Sequence, residues 1–318
     1  MVARAPDKAA FEALKSALEE ISSLAESDVG ATMTRRIREG LALHAERLEG
    51  VRAVTDPVYM PRASYDPSDP KIVGLMVSLA LIAQHRAPLA DVRPSYGSGV
   101  YAIYYEGPHP FYERISGTET PIYVGKADPT SGDASTPREQ GAKLTGRLIE
   151  HAKTIRVAET YALQHGLPDG LHPINLRDFS CRLLVCATNA QLVAEKHLIR
   201  MFRPVWNSET KVCWGMSKHG DSASTRKNKR SPWDVVHPGR LWALDAQLED
   251  KSSPEEIRML IDKTLDEYSP RISHASLLEE MLMALQQDDS LVRGLSIDSS
   301  SANLLESVDD EAEEQDQE

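Results

Sequence analysis

The chain of 318 residues has little cysteine and no long hydrophobic run, and each absence excludes a class of protein. Its three cysteines form no CxxC pair, which argues against a disulfide framework and against a zinc knuckle. Cys181 and Cys186 are five apart on a predicted strand, so they point to opposite faces and do not bridge each other. The apolar stretch from Ile72 to Ala83 is shorter than the roughly 18 residues that cross a bilayer, so we expect no membrane span.

The N-terminus also lacks the apolar block of a secretory signal, because Asp7, Lys8 and Glu12 interleave with Phe11. We therefore expect a cytoplasmic protein. A composition of 41% hydrophobic and 26% charged residues excludes collagen-like and wholly disordered chains. The length fits one large domain or two small ones.

Negative charge dominates the sequence but is distributed unevenly. The net charge is −12, yet residues 306–318 hold eight acidic side chains and no basic one, which leaves −4 for the rest of the chain. The segment Lys211–Arg240 carries a local charge of +5. A basic segment on an acidic protein is typical of a polyanion-binding surface. Charge alone, however, favours a solvated loop.

The periodicity of the apolar residues predicts a mixed α+β core between two helical extensions. Phe11, Leu14, Leu18 and Ile21 recur at helical spacing in an N-terminal extension, residues 1–66. The core covers residues 67–245 and includes the basic segment 211–240. A helical C-terminal extension, residues 246–300, precedes an acidic tail, residues 301–318, which we expect to be disordered.

Alternating apolar residues and turn signals predict three strands in the core. Helical periodicity predicts helices between and after them, one of which opens with a capping box of Thr188 and Gln191 and ends before Pro204. The predicted strands are Gly99–Tyr105, Pro121–Gly125 and Phe179–Ala187. The predicted helices include one from Asp69 to Gln84, one from Lys143 to Gln164 and one from Pro254 to Gln287.

Two tyrosines lie on neighbouring predicted strands, each close to a glycine. Tyr101 follows Gly99 by two residues, whereas Tyr123 precedes Gly125 and Lys126. Each tyrosine alone would be interpreted as a half-buried sheet residue. Glycine at a strand end lets a ligand or a backbone approach closely, so the combination favours a site.

Three further positions could carry chemistry. Arg147 and His151 are four apart on one helical face, as in a solvated basic stripe or a phosphate-binding surface. Glu195 borders the apolar face of its helix, where a carboxylate is costly unless it is paired or bound to a cation. Arg147 as a structural partner and a metal ion both remain open. Asn207, taken alone, is a turn residue.

The order of these residues resembles the GIY-YIG nuclease superfamily, with valine in place of isoleucine in both signature triplets. The resemblance covers about residues 99–207 and runs through Gly-Val-Tyr, Tyr-Val-Gly-Lys, Arg147 with His151, Glu195 and Asn207. Four segments are similar to type II restriction endonucleases of this superfamily, in the group that cuts CCGCGG. They are GSGVYAIYY, PIYVGKADP, GRLIEHAKTI and RSPWDVVHPGRLWA.

The resemblance implies a three-stranded antiparallel sheet flanked by helices, and one divalent metal ion, Mg²⁺ or Mn²⁺, per site. Glu195 would hold the metal ion and Arg147 would clamp the scissile phosphate. Tyr101 and Tyr123 would orient water and phosphate. The supporting catalytic residues would be Lys126, His151 and Asn207.

The implied function is cleavage of double-stranded DNA at a GC-rich palindrome. A palindrome cut on both strands is most simply met by a homodimer. The basic segment would contact DNA in two ways. Backbone contacts are predicted for Arg226, Lys227, Lys229 and Arg230, and contacts to guanine edges for Lys218, His219 and Arg240.

Several alternatives stay open at this point. Tyr101 as the general base would need its pKa lowered by about 3 units, Lys126 faces a similar gap, and His151 needs almost no shift. We expect Tyr101 to contact the water and His151 or Lys126 to accept the proton. A structure-specific or repair nuclease of the same fold, and a DNA-binding protein without catalysis, are the alternative functions.

Overall fold

The computed structural model describes residues 6–27, 29–55, 65–187, 189–217, 222, 224 and 226–285. The chain divides into two compact units, one of residues 1–64 with 287–318 and one of residues 65–286. The acidic tail and the last part of the C-terminal extension lie outside the described residues. Among the helices within those ranges, none combines the length and hydropathy needed to cross a membrane.

The first unit contains two long helices, α1 (Pro6–Glu26) and α2 (Ala31–Thr55). Helix α1 follows the helical spacing that predicted it. None of the side chains described in this unit is fully buried. The partly buried residues are Leu14, Ile21, Val29, Ile37 and Gly40.

The second unit is built on one antiparallel sheet of four strands, in the order β1-β4-β2-β3. The sequence predicted three strands. The additional strand has two residues and pairs with Ser180 and Cys181, and so short a segment has no alternating pattern to predict it from. The strands are β1 (Ala87–Pro88), β2 (Gly99–Tyr105), β3 (Tyr123–Ala127) and β4 (Phe179–Val185).

Helices cover both faces of this sheet, which confirms the predicted α+β class. Side chains alternate along the buried central strand β2, so one set packs with α5, α7 and α8 and the other with α3, α6 and α9. The first set includes Tyr101 and the second Tyr104. The helices are α3 (Pro70–Ile82), α4 (Pro137–Gln140), α5 (Lys143–His165), α6 (Ala190–Phe202), α7 (Pro232–Val236), α8 (Pro254–Glu267) and α9 (His274–Met283).

Several boundaries differ from the sequence prediction. Strand β3 starts two residues late, after Pro121, which has no N–H for the ladder. The helix predicted through Gln287 is two helices, because Pro270 interrupts it. Thr188 lies outside the described residues, and Asn189, the N-cap residue of α6, makes no side-chain capping bond. The three cysteines are buried and free, as predicted.

Candidate active site

One cavity of about 290 Å³ opens where β2, β3, α5 and α6 meet. It brings together five of the residues that the sequence predicted as catalytic, although these come from four separate elements. The lining residues are Tyr101, Tyr123, Lys126, Ala127, Asp128, Lys143, Arg147 and Glu195.

The glycines of the two triplets are required by close approaches in the sheet. Tyr101 pairs with Gly125 across β2 and β3, and a Cβ atom on Gly125 would lie 2.5 Å from the phenol oxygen. A Cβ atom on Gly99 would lie 2.0 Å from the carbonyl oxygen of Leu184 on β4. A side chain at either position would displace Tyr101 or its strand, so the glycines shape the cavity sterically.

Tyr101 and His151 form a buried hydrogen-bonded pair. The phenol oxygen lies 2.7 Å from Nε2 of His151, which sits behind Tyr101 and outside the cavity lining. Burial raises the pKa of Tyr101 well above its usual value, and the neighbouring Tyr123 adds to the shift. Burial, followed by the Arg147 cation, lowers the pKa of His151 to about 3. Both shifts leave the proton on Tyr101, which therefore donates to a neutral imidazole.

Tyr123 completes an aromatic cluster around this pair. Its ring centre lies 4.9 Å from that of His151 in an edge-to-face arrangement and 6.2 Å from that of Tyr101. Such contacts fix ring positions in a packed interior. The two phenols are therefore held side by side at one wall of the cavity.

Lys126 lies at the cavity in an ion pair with Asp128. The hydrogen bond from Lys126 lowers the pKa of Asp128. Gln191, on the first turn of α6, donates to the second carboxylate oxygen at 3.5 Å. The sequence analysis did not predict Asp128, which lies just after the last residue of β3, where no strand pattern relates it to Lys126. It gave Lys143 no site role either, although Lys143 lies one turn before Arg147.

Glu195 is a desolvated carboxylate without a bonded cation. Burial raises its pKa to about 7, against the charge and the backbone N–H of Lys126. Glu195 forms no salt bridge with any residue that the structure describes. Arg147, the alternative structural partner, pairs instead with Glu150 at 3.2 Å and remains about half exposed.

This arrangement suits a divalent cation held by a single side chain. Within the described ranges, no cluster of three or more histidine, cysteine, aspartate or glutamate side chains is placed to hold a metal ion. Mg²⁺ is commonly bound through one or two carboxylates and keeps several waters. The oxygen donors of Glu195 and the space beside them fit an ion whose remaining ligands are water and substrate phosphate.

Asn207 does not reach the cavity. Its Oδ1 accepts from the Val124 N–H at 2.9 Å, and its Nδ2 donates to the Val124 carbonyl at 2.8 Å. Strand β3 is an edge strand, so this amide takes the place of a neighbouring strand. Asn207 therefore positions β3, with Tyr123 and Lys126 on it.

Two arginines of the basic segment, for which contacts with DNA are predicted, make hydrogen bonds inside the fold. The buried guanidinium of Arg240 donates to Asp234 and to the carbonyls of Gly215 and Ser217. Arg230 donates to the carbonyls of Ala243 and Asp245 and pairs with Asp250. Three N–H donors of Arg230 and four of Arg240 are therefore engaged within the protein.

The other cations of this segment are differently placed. Arg226 stacks on the ring of Trp242 at 4.3 Å. Lys229 pairs with the exposed Glu249 at 2.7 Å, and Lys227 is exposed. Lys218 and His219 lie outside the described residues.

Comparison with known proteins adds one match. Residues 93–265 match the family model described as the Eco29kI GIY-YIG domain. The matched segment covers more than half of the chain and contains every residue of the cavity lining. No curated protein matches the chain.

Proposed function

The chain belongs to the Eco29kI GIY-YIG family of restriction endonucleases, and from that membership we propose that it is a type II enzyme that hydrolyses double-stranded DNA at a specific sequence. One observation carries the proposal. Glu195, partly buried and without a bonded cation, lines the same cavity as Tyr101 and Arg147. A purely structural carboxylate at such a place would be paired. Phosphodiester hydrolysis instead needs a site for positive charge beside the attacked phosphate.

Each cavity residue has a part in this reaction. One Mg²⁺ or Mn²⁺ ion on Glu195 would supply Lewis-acid charge to the phosphate and the leaving oxygen. Arg147 offers a planar fork to a phosphate oxygen at the cavity mouth. Lys126 exchanges Asp128 for the phosphate as its counter-ion, and Tyr123 orients the phosphate.

Proton transfer passes through the Tyr101–His151 pair. Tyr101 contacts the attacking water and accepts its proton while passing its own to Nε2 of His151. A phosphate bound to Arg147 offsets the cation that, after burial, lowers the pKa of His151. The ammonium group of Lys126, held by Asp128, has no lone pair for a proton. We therefore assign the acceptor role to His151.

The substrate in this proposal is a GC-rich palindrome, CCGCGG by resemblance, cut by a homodimer. Two-fold symmetry of the protein matches that of the DNA site. Phosphate contacts are assigned to Lys227, Lys229 and Arg226, and base contacts to Lys218 and His219.

The decisive experiment incubates the purified protein with long duplex DNA in Mg²⁺, in Mn²⁺ or in chelator, and sequences the ends. We expect discrete fragments that share one palindromic site, formed only with metal. The isosteric variant Glu195→Gln, as the matched control, should bind this DNA without cutting it.

Other outcomes identify the alternative functions. Nicks at branches or junctions, with intact linear duplex, would identify a structure-specific nuclease. Unchanged DNA affinity and unchanged activity in Glu195→Gln would identify a DNA-binding protein in which this cavity has no catalytic role.

A further inference from the structure

The helical hairpin formed by α1 and α2 contributes nothing to the cavity and lies outside the matched family segment. Its first helix carries apolar residues at positions 11, 14, 18, 21 and 25, the alternating three- and four-residue spacing of a coiled-coil seam. Leu14 and Ile21 are partly buried. Phe11 is 69% exposed and Leu18 is 45% exposed. Three of the five seam positions, 11, 18 and 25, are therefore open.

The second helix repeats this pattern. At 100° per residue, Leu41, Leu48 and Val51 lie within about 40° of the partly buried Ile37. All three are exposed. Since no described side chain of this unit is fully buried, the hairpin has no core of its own. A helical pair without a core is marginal in water, so these stripes need a further partner.

We propose that the open stripes of α1 and α2 bind the same stripes of a second copy of this chain, so that two hairpins form a four-helix bundle. Charge favours this occupant. Helix α1 has five acidic and two basic residues, whereas α2 has three acidic and five basic ones. In a two-fold pair, α1 of one copy packs on α2 of the other, and each acidic helix meets a basic one. A partner of one charge sign would repel one of the two helices.

The inference does not rest on the proposed nuclease function. Assembly can be measured without DNA or metal, so a failure of the bundle is distinguishable from a failure of catalysis.

The test is sedimentation velocity of the full-length protein over a concentration series. The double variant Leu18→Glu, Leu41→Glu adds charge to both stripes without removing a buried contact. We expect the dissociation constant of one association step to rise at least about tenfold. The apolar variant Leu18→Met, Leu41→Met and the control Leu163→Glu, at an exposed leucine of α5, should assemble as the wild type does.

Each other result overturns the proposal. If the charged variant assembled as the wild type does, the stripes would be excluded as the interface between two copies. A wild type that is monomeric throughout would show that the hairpin is covered within its own chain. If the Met variant or Leu163→Glu dissociated as readily as the charged double variant, charge on the stripes would not be the cause of the weaker assembly. Loss of helical circular dichroism in the charged variant without a change in mass would equally contradict the bundle.

Discussion

Two desolvated carboxylates of this protein, one buried and one partly buried, lie in opposite surroundings. Asp234 on α7 is inaccessible to solvent and bonds to Ser231 and to the guanidinium of Arg240. Glu195 on α6 has no salt bridge within the described part of the chain. Burial raises the pKa of both, but only Asp234 has a directly bonded cation to oppose the shift. We therefore assign the carboxylate without a bonded cation to the proposed chemistry and the paired one to the structure.

Two arginines repeat this contrast. Arg240 has a buried side chain and makes four hydrogen bonds inside the fold. Arg147 is about half exposed, pairs only with Glu150 and lines the cavity. The two arginines have the same formal charge. They differ in the number of hydrogen bonds that each makes inside the fold.

The largest expected effect on stability is that of Asp234→Ala, which leaves the charge of Arg240 buried and unpaired. We expect the free energy of unfolding, measured in urea, to fall by about 3–5 kcal/mol. Adding Arg240→Met to this variant should cost less than the sum of the single changes. A loss below about 1 kcal/mol would contradict the structural role of the Asp234–Arg240 pair.

Arg147→Met should separate activity from stability. Loss of a cation that acts on the transition state is expected to lower kcat/KM by about 10²- to 10³-fold. The exposed pair with Glu150 is worth at most about 1 kcal/mol, so the melting temperature should barely change. Single-turnover cleavage and thermal melts measure the two effects. Destabilisation as large as that of Asp234→Ala would show that Arg147 stabilises the fold instead of acting on the substrate.

Glu195→Gln should stabilise the metal-free protein, the opposite sign to Asp234→Ala. The pKa of Glu195 in the fold is about 7 against a usual 4.5, so the folded carboxylate resists ionisation. The ionised carboxylate therefore destabilises the fold. This destabilisation is greatest above pH 7, declines as the pH falls and vanishes below 4.5. We expect a gain of about 1–2 kcal/mol above neutrality, after allowance for solvent screening. An equal gain at pH 4.5 would contradict this cause.

The same carboxylate should set the pH dependence of the metal requirement. Protons and Mg²⁺ compete for Glu195, so the half-saturating Mg²⁺ concentration for cleavage should rise by about tenfold per pH unit below pH 7. Above that pH it should level off. In His151→Gln, loss of the proton acceptor should slow cleavage, so the Mg²⁺ dissociation constant is measured by binding instead. Its pH midpoint should stay in place because the pKa of His151 is about 3 and its ring is already neutral. A midpoint that moves in this variant would assign the titration to His151.

Local sequence patterns predicted much of the site. Alternation along β2 predicted the two faces, and helical spacing placed Arg147 and His151 on one side of α5. Arg147 and Glu195 line one cavity, and His151 lies behind it in contact with Tyr101. Such patterns extend over one strand or a few helical turns, so they can be recognised in the sequence without knowledge of the fold.

Partners distant in sequence could not be predicted in this way. The basic segment indicated free cations, but the carbonyls and the carboxylate that engage Arg240 become neighbours only after folding. Asn207, taken alone, was interpreted as a turn residue and gained a site role only through the resemblance, whereas its amide bonds to Val124, far back in the chain. Strand β1 was not predicted because a strand of two residues is too short to show an alternating pattern.

The hydrogen bonds of Asn207 also determine how the sheet meets other molecules. By occupying both polar backbone groups of Val124, the amide fills the position where a strand from another chain would add. An edge strand with free N–H and C=O groups is a template for intermolecular pairing and aggregation. The strand that presents the second phenol is thus protected at Val124 from β-augmentation.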